Sequence, residues 1–144
     1  MLQYPALFES DKEAGGYVVT FPDFSFGVTQ GETLEEAMAM AADLLKILIA
    51  DRIERNLDLP RPSKRRSRHY RLVSLPALQD AKAMLYQAWR ASGLRKADLA
   101  RRLGIPKSNI DRLFDLHHDS RLEQLEGAFG ALHRKVVIEV RTAA

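Results

Sequence analysis

Residues 98–115 read DLARRLGIPKSNIDRLFD, and this stretch decides the fold of the second half of the chain. Apolar residues recur at three- and four-residue spacings on both sides of Gly104, a pattern typical of two short helices joined by a turn. Glycine accepts the positive φ that a sharp turn requires, and Pro106 suits the first turn of the helix that follows. Ala100 is small enough to let two helices cross closely. The stretch therefore predicts a helix-turn-helix within residues 95–115.

The solvent-facing side of the second predicted helix carries side chains able to read DNA bases. Lysine and arginine donate to guanine O6 and N7, asparagine pairs with adenine, and serine serves either base. Our candidates for base contacts are Lys107, Ser108, Asn109 and Arg112. Contacts to phosphates fix the register without reading the sequence. Our candidates for them are Arg95, Lys96 and Arg101. The alternative is the corner of a helical bundle with a solvated basic face, and the combined pattern favours DNA binding.

The rest of the second half is also helical in pattern. Periodicity predicts helices near residues 77–91, 95–103, 107–115 and 120–132. Ser120 and Glu123 have the spacing of a capping box at the start of the last helix. The apolar segment KVVIEV, residues 135–140, predicts a closing β-strand.

The first half predicts a small antiparallel sheet followed by one long helix. The predicted strands are residues 2–9, 17–21 and 24–30, with a glycine-containing hairpin turn at residues 10–16. Pro5 is expected near the start of its strand or at an edge. Thr33 and Glu36 form a capping-box pattern at the start of a helix that runs to about Asn56. Its apolar stripe is expected to cover one face of the sheet.

The two halves are joined by a segment with the composition of a linker. Residues 58–68 contain two prolines, two serines and a run of basic residues. Residues 69–75 predict a strand that either returns to the first sheet or opens the second domain. We expect a first domain over residues 1–60, a basic linker over 61–68 and a second domain over 69–144.

Charge is distributed unevenly along the chain. Residues 1–59 hold 4 Lys/Arg and 11 Asp/Glu, a net charge of −7. Residues 60–144 hold 18 Lys/Arg and 8 Asp/Glu, a net charge of +10. A basic half suits a polyanion, because each cation placed on a phosphate releases counterions. An acidic half repels nucleic acid and favours a basic partner. The segregation therefore predicts two different partners.

Several classes of function are disfavoured. The chain has no cysteine, which excludes disulfides and thiolate chemistry. The acidic residues of the first half form no set that strand and helix geometry would bring together on two metal ions. We therefore expect no enzyme, no catalytic residues, no metal and no cofactor. The N-terminal residues lack a signal-peptide pattern and no apolar run is long enough to span a bilayer, so we expect a cytoplasmic protein without a membrane partner.

Several segments carry a family resemblance. The first half resembles the HicB domain through YPALFE, GGYVVTFPDF, VTQGETLEEA and the long helix after them. The second half resembles the helix-turn-helix version of that family through VSLPALQDAK, KADLARRLGIPKSNIDRLFDL and KVVIEV. Over nearly all of its length the chain resembles the HicB-type antitoxins of type II toxin–antitoxin systems.

The resemblance implies a fold and two activities. It implies an α+β protein: a partial RNase H-like antiparallel sheet with one long helix, followed by an all-α helix-turn-helix domain with a flanking β-strand. HicB proteins neutralise HicA, a small basic ribonuclease toxin, and repress their shared operon, which agrees with the charge split. A stand-alone transcriptional regulator, whose first domain binds another ligand or protein, is the alternative.

The predicted partners are a HicA-type toxin, operator DNA and a second copy of the chain. Acidic and aromatic side chains of the first half are expected to cover the toxin's active site. Our candidates for this contact are Glu9, Tyr17, Phe21, Asp23 and Phe24. The alternative for Phe21 and Phe24 is the core of the sheet, and it is the better interpretation for both. Because helix-turn-helix readers commonly use two heads about one DNA turn apart, we expect a homodimer or a higher even oligomer.

Overall fold

The computed structural model describes residues 1–143. Within these residues the chain forms four β-strands and five α-helices, a mixed α+β fold. Their bounds are β1 Gln3–Ser10, β2 Tyr17–Thr20, β3 Val28–Gly31, α1 Leu34–Glu54, β4 Tyr70–Ser74, α2 Ala77–Ser92, α3 Lys96–Leu103, α4 Lys107–Phe114 and α5 Leu122–Ala131.

The strands form one antiparallel sheet in the order β3-β2-β1-β4. The β1–β2 register pairs Leu7 with Thr20, the last residue of β2, so Pro5 lies where β1 extends beyond its neighbour. A proline is tolerated there because no partner on that side needs its missing N–H. In the connecting turn, the Asp11 carboxylate accepts the backbone N–H groups of Glu13 and Ala14, both at 3.1 Å.

The predicted strand over residues 24–30 is too long. The structure begins β3 at Val28, and the Phe24 N–H donates to the Phe21 carbonyl at 3.2 Å in the turn before it. This turn directs Phe24 into the core, whereas Phe26 is 51% exposed. The alternation of aromatic residues therefore arises from a turn, and not from the pleat of a strand.

Helix α1 covers one face of the sheet, as its apolar stripe predicts. The Thr33 hydroxyl accepts the Glu36 N–H at 3.1 Å, but the Glu36 carboxylate accepts from Glu32 and not from Thr33. The reciprocal half of the capping box is therefore displaced by one residue. The strand before the helix approaches it closely: a Cβ on Gly31 would lie 2.4 Å from the backbone nitrogen of Ala37. Only glycine fits at this position.

Strand β4 returns to the first sheet, which decides between the two alternatives that the sequence left open. It pairs with β1, with Tyr4 opposite Val73 and Leu7 opposite Tyr70. Strand β1 is thereby an inner strand, and β3 and β4 form the two edges. The domain division expected at residues 60 and 69 remains a prediction.

The segment expected to be a linker is held by side chains from both halves of the chain. The Tyr86 hydroxyl on α2 donates to the Leu57 carbonyl at 2.7 Å, and the Tyr4 hydroxyl on β1 donates to the Pro60 carbonyl at 2.8 Å. Burial raises the pKa of Tyr4 to about 12. These two buried hydroxyls fix the path of the segment between the sheet and the helices.

Helices α2 to α5 pack around a separate aromatic cluster. The Tyr86 and Phe114 rings meet edge-on at 5.4 Å, and the Trp89 and Phe114 rings lie 5.2 Å apart. The predicted capping box of the last helix is wrong by one residue, because the Gln124 side chain accepts the Arg121 N–H at 2.8 Å. Helix α5 accordingly begins at Leu122.

The predicted closing strand over residues 135–140 is absent from the single chain. This segment has no regular secondary structure, and Val137 and Val140 are 79% and 91% exposed. A strand is defined by hydrogen bonds to a neighbour, and none of residues 1–143 pairs with this segment. Its β-forming composition is therefore not sufficient without a partner.

Candidate nucleic-acid interface and protein-binding surfaces

The turn between α3 and α4 has the geometry that the sequence predicts. Gly104 ends α3 with φ 65°, in the left-handed region. Space does not require glycine there, because a Cβ would meet no atom within 4 Å. The Ile105 N–H donates to the Ala100 carbonyl at 3.1 Å, which closes the turn. Ala100 and Ile110 are buried where the two helices meet.

Helix α4 brings all four candidate base contacts together. Lys107, Ser108 and Arg112 are exposed, and Asn109 is half-buried with its side-chain oxygen 3.4 Å from an Arg112 guanidinium nitrogen. Asp111 also lies on the exposed side of this helix. The surface offers donors suited to guanine and an amide suited to adenine.

The three candidate phosphate contacts differ in their surroundings. Arg95 and Arg101 are exposed, and both pair with Asp98, at 3.0 and 3.3 Å. Hydrogen bonds from Arg95 hold the pKa of the Asp98 carboxyl far below its usual value. Lys96 is half-buried, since its ammonium pairs with Asp111 at 2.8 Å. Arg95 and Arg101 are therefore more accessible to a phosphate than Lys96.

Sequence reasoning missed one residue that supports α4. Lys82 on α2 is fully buried, and its ammonium donates to the carbonyls of Arg112 and Asp115 at 2.8 and 2.7 Å. Burial lowers the pKa of Lys82, and the nearby Asp115 carboxylate partly opposes this shift. A signal was present in the sequence: Lys82 precedes Leu85 and Tyr86 by three and four residues, which places it on the apolar stripe of α2.

The candidate toxin contacts of the first half fall into two groups. Glu9 is exposed on the sheet face opposite α1, because it alternates with the buried Phe8 on β1. Tyr17 and Asp23 are half-buried, and the Asp23 carboxylate accepts the Ser63 N–H at 2.9 Å.

Phe21 and Phe24 lie in the core. Their ring centroids are 6.3 Å apart, and Phe24 also meets the Tyr4 ring edge-on at 5.1 Å. This is the sheet-core placement that the sequence favoured for both residues. Phe21 is 3% and Phe24 is 8% exposed, and contact of these two side chains with a partner remains a prediction.

The structure also bears on metals and membranes. Among residues 1–143, no group of three or more His, Asp or Glu side chains is arranged to hold a metal ion. In the same residues no helix has both the length and the apolar character needed to cross a bilayer.

Comparison with known proteins identifies similar chains. Residues 3–84 match the family model of the HicB-like antitoxin of bacterial toxin–antitoxin systems. The chain is 36% identical to Antitoxin HicB of Escherichia coli K12 over 94% of this chain and 96% of that one. It is 31% identical to Antitoxin HicB 1 of Photorhabdus laumondii over 96% of this chain and 87% of that one.

Two solved structures also resemble the chain. One is a toxin–antitoxin complex from Streptococcus pneumoniae, with TM-score 0.46 and 27% identity, covering 75% of this chain and 92% of that one. The other is the antitoxin HicB of Burkholderia pseudomallei, with TM-score 0.45 and 22% identity, covering 54% of this chain and 65% of that one.

Proposed function

The chain belongs to the HicB-like antitoxins of bacterial toxin–antitoxin systems, and from this premise we propose that it neutralises a HicA-type ribonuclease toxin and represses its own operon. In this proposal the sheet and α1 form a partial RNase H-like domain that binds the toxin in the cytoplasm. Helices α2 to α5 form the helix-turn-helix domain that binds operator DNA. Inhibition is non-catalytic, because the acidic domain covers the site where the RNA phosphates of the toxin's substrate would bind.

The observation that supports the proposed DNA binding is the exposed side of α4. Lys107, Ser108 and Arg112 project into solvent from one short helix, directly after the turn at Gly104. Residues near the start of a recognition helix normally contact base edges. The basic second half, with net charge +10 over residues 60–144, supplies the attraction to the DNA backbone.

The DNA-binding proposal is tested with DNA from upstream of the gene. Arg112→Ala is expected to weaken operator binding and to relax base preference, by roughly 1–3 kcal/mol at one position. Arg101→Ala is expected to weaken binding to all sequences alike and to reduce the salt dependence. Fluorescence anisotropy with operator and scrambled duplexes measures both. If Arg112→Ala weakens binding to operator and scrambled DNA equally, its role as a base contact is wrong. If Arg101→Ala weakens operator binding more than binding to scrambled DNA, its role as a phosphate contact is wrong.

The exposed segment 135–140 provides the proposed contact between two copies of the chain. Val137 and Val140 are β-branched, apolar, and 79% and 91% exposed. A segment of this composition with unpaired backbone groups can pair with a strand of another chain. Antiparallel pairing with the same segment of a second copy would produce the strand that the single chain lacks. Two α4 helices could then contact half-sites about 34 Å apart.

Sedimentation equilibrium tests this contact. The variant Val137→Asp/Val140→Asp is expected to be monomeric and to lose operator affinity, whereas Leu122→Asp, at an exposed leucine on α5, serves as the control. A dimeric mass for the double variant would contradict the proposal.

Co-expression tests the antitoxin activity. The full chain is produced together with the toxin encoded beside its gene, and growth is compared with that of cells making the toxin alone. Rescue supports the proposal, and continued growth arrest contradicts it. The absence of a small basic protein in the adjacent reading frame would favour the stand-alone regulator instead.

A further inference from the structure

Helix α1 has an unpartnered side that faces away from the sheet. We define the outer α1 stripe as Glu36, Met40, Asp43, Ile47 and Glu54, which lie on one line of the helix at intervals of three, four and seven residues. Met40 and Ile47 are 38% and 56% exposed. No element within residues 1–143 covers them. Exposed apolar side chains in the middle of an acidic line are typical of a surface that binds a partner.

The stripe leads into a cleft between the two halves of the chain. Ala50, Ile53 and Glu54 of α1 form one wall, and Phe114 and Leu116, at and beyond the end of α4, form the apolar part of the other. The remaining lining residues are Lys96, Asp111 and Asp115. We call this space, about 270 Å³ in volume, the α1–α4 cleft.

The charged side chains of the outer α1 stripe and the α1–α4 cleft are mostly negative. Asp43 and Glu54 form no ion pair with any of residues 1–143. Lys96 is the one basic residue among those described that line the cleft, and Asp111 already neutralises it at 2.8 Å. Such a surface repels nucleic acid and attracts a protein with exposed lysine or arginine side chains.

The sheet face opposite α1 is less suited to a basic partner. It also exposes apolar side chains, including Val28 and Leu72. However, the basic run at residues 64–68 borders it, with the Arg65 guanidinium 5.7 Å from the centre of the Tyr70 ring. A basic partner would be repelled at this edge, whereas the three charged side chains of the outer α1 stripe, Glu36, Asp43 and Glu54, are all acidic.

We propose that the outer α1 stripe and the α1–α4 cleft together form the docking surface for the toxin. This rests on the proposed function, in which the partner is a basic protein. The partner's apolar side chains pack on Met40 and Ile47, and its lysine or arginine side chains reach Asp43, Glu54 and the cleft. Because Asp111 and Asp115 flank Arg112 along the chain, a toxin in the cleft also contacts the DNA-reading helix.

The test uses the full chain and its adjacent-gene toxin, inactivated at its nuclease site. Ile47→Arg and Asp43→Lys/Glu54→Lys change exposed side chains of the stripe, so both variants are expected to fold, which circular dichroism checks. The matched control is Glu123→Lys/Glu126→Lys, which makes the same change in net charge on the exposed side of α5. Isothermal titration calorimetry measures toxin affinity at several salt concentrations, and fluorescence anisotropy measures operator affinity.

Both stripe variants are expected to bind the toxin at least roughly 30-fold more weakly than wild type, since a central contact of this kind is a binding hot spot. The control should bind within about threefold of wild type, and the double stripe variant should show a smaller salt dependence. Ile47→Arg should retain operator binding. If wild type binds the toxin and either stripe variant binds it within threefold of wild type, the docking surface is overturned. If wild type itself binds no toxin, the proposed function fails.

Discussion

Replacement of Lys82 by methionine tests how strongly the buried ammonium group stabilises the end of α4. The side chain is fully buried, and its ammonium donates to the carbonyls of Arg112 and Asp115. A hydrogen bond to a charged group contributes about 1.5–3 kcal/mol, so the two together contribute roughly 3–6 kcal/mol. Methionine fills a similar volume and removes both donors.

Two effects reduce this loss. Removing the ammonium also removes the desolvation penalty that lowers the pKa of Lys82. The Arg112 carbonyl retains the Asp115 N–H as a partner at 3.3 Å, and the exposed Asp115 can be hydrated. We therefore expect Lys82→Met to reduce the free energy of unfolding by about 2 kcal/mol. For a chain of this size, that lowers Tm by roughly 4–8 °C.

The sign of the pH dependence follows from the lowered pKa of Lys82. Between that pKa and the usual value near 10.5, the unfolded chain binds more protons at this site than the folded chain. Wild type therefore gains stability relative to Lys82→Met as pH rises through this window, and the difference between them grows. Below the window, both states are protonated and the difference is constant.

Urea unfolding of both proteins at several pH values measures these quantities, with Lys12→Met, at an exposed lysine in the β1–β2 turn, as the matched control. Operator and nonspecific DNA affinities are measured in parallel. In the proposed function α4 contacts DNA bases, so a loosened α4 should reduce discrimination between operator and scrambled DNA more than it reduces nonspecific binding. Ordinary surface substitutions change the free energy of unfolding by up to about 0.5 kcal/mol. If the free energies of unfolding of Lys82→Met and Lys12→Met differ by no more than this, the buried ammonium does not stabilise α4 as expected.

Two further predictions concern backbone space and acid stability. Gly31→Ala is expected to destabilise the fold by roughly 2–3 kcal/mol, because the added Cβ would lie 2.4 Å from the Ala37 backbone nitrogen. In contrast, Gly127→Ala, in open space on α5, should stabilise the fold by about 0.5–1 kcal/mol. Thermal unfolding of both variants measures these changes, and equal changes in Tm would contradict the prediction. The hydrogen bonds from Arg95 lower the pKa of Asp98, so its contribution to stability is present above the usual value near 3.8 and is lost as pH falls further. Asp98→Asn should make acid unfolding less steep below pH 4, and a superimposable acid transition for wild type and Asp98→Asn would contradict this.

Much of the fold could be predicted from local patterns. The four helices of the second half lie within two residues of the predicted bounds, because hydrophobic periodicity and the turn at Gly104 are properties of adjacent residues. The same holds for the hairpin of β1 and β2, whose turn at Asp11 is stabilised by hydrogen bonds over two and three residues. The exposure of Lys107, Ser108 and Arg112 followed from the same periodicity.

The errors arose where distant parts of the chain determine the outcome. Phe24 has the spacing of a strand residue, but its ring packs on Tyr4, twenty positions away in the sequence. Residues 135–140 have the composition of a strand, and they form none without a neighbouring strand. Lys82 has the residue type of a surface position, yet it is buried because the end of α4 presents two carbonyl groups to it.

The sequence by itself determined the four helices of the second half, the β1–β2 hairpin, the segregation of charge, and the family to which the chain is similar. These depend on residue type and short-range spacing, which the chain carries whether or not it is folded. Only the tertiary structure decided that β4 joins the first sheet, that Tyr86 and Tyr4 hold the connecting segment, and that α1 and α4 enclose an acidic cleft. Each of these brings together residues far apart in sequence, and their pairing depends on geometry that local patterns do not encode.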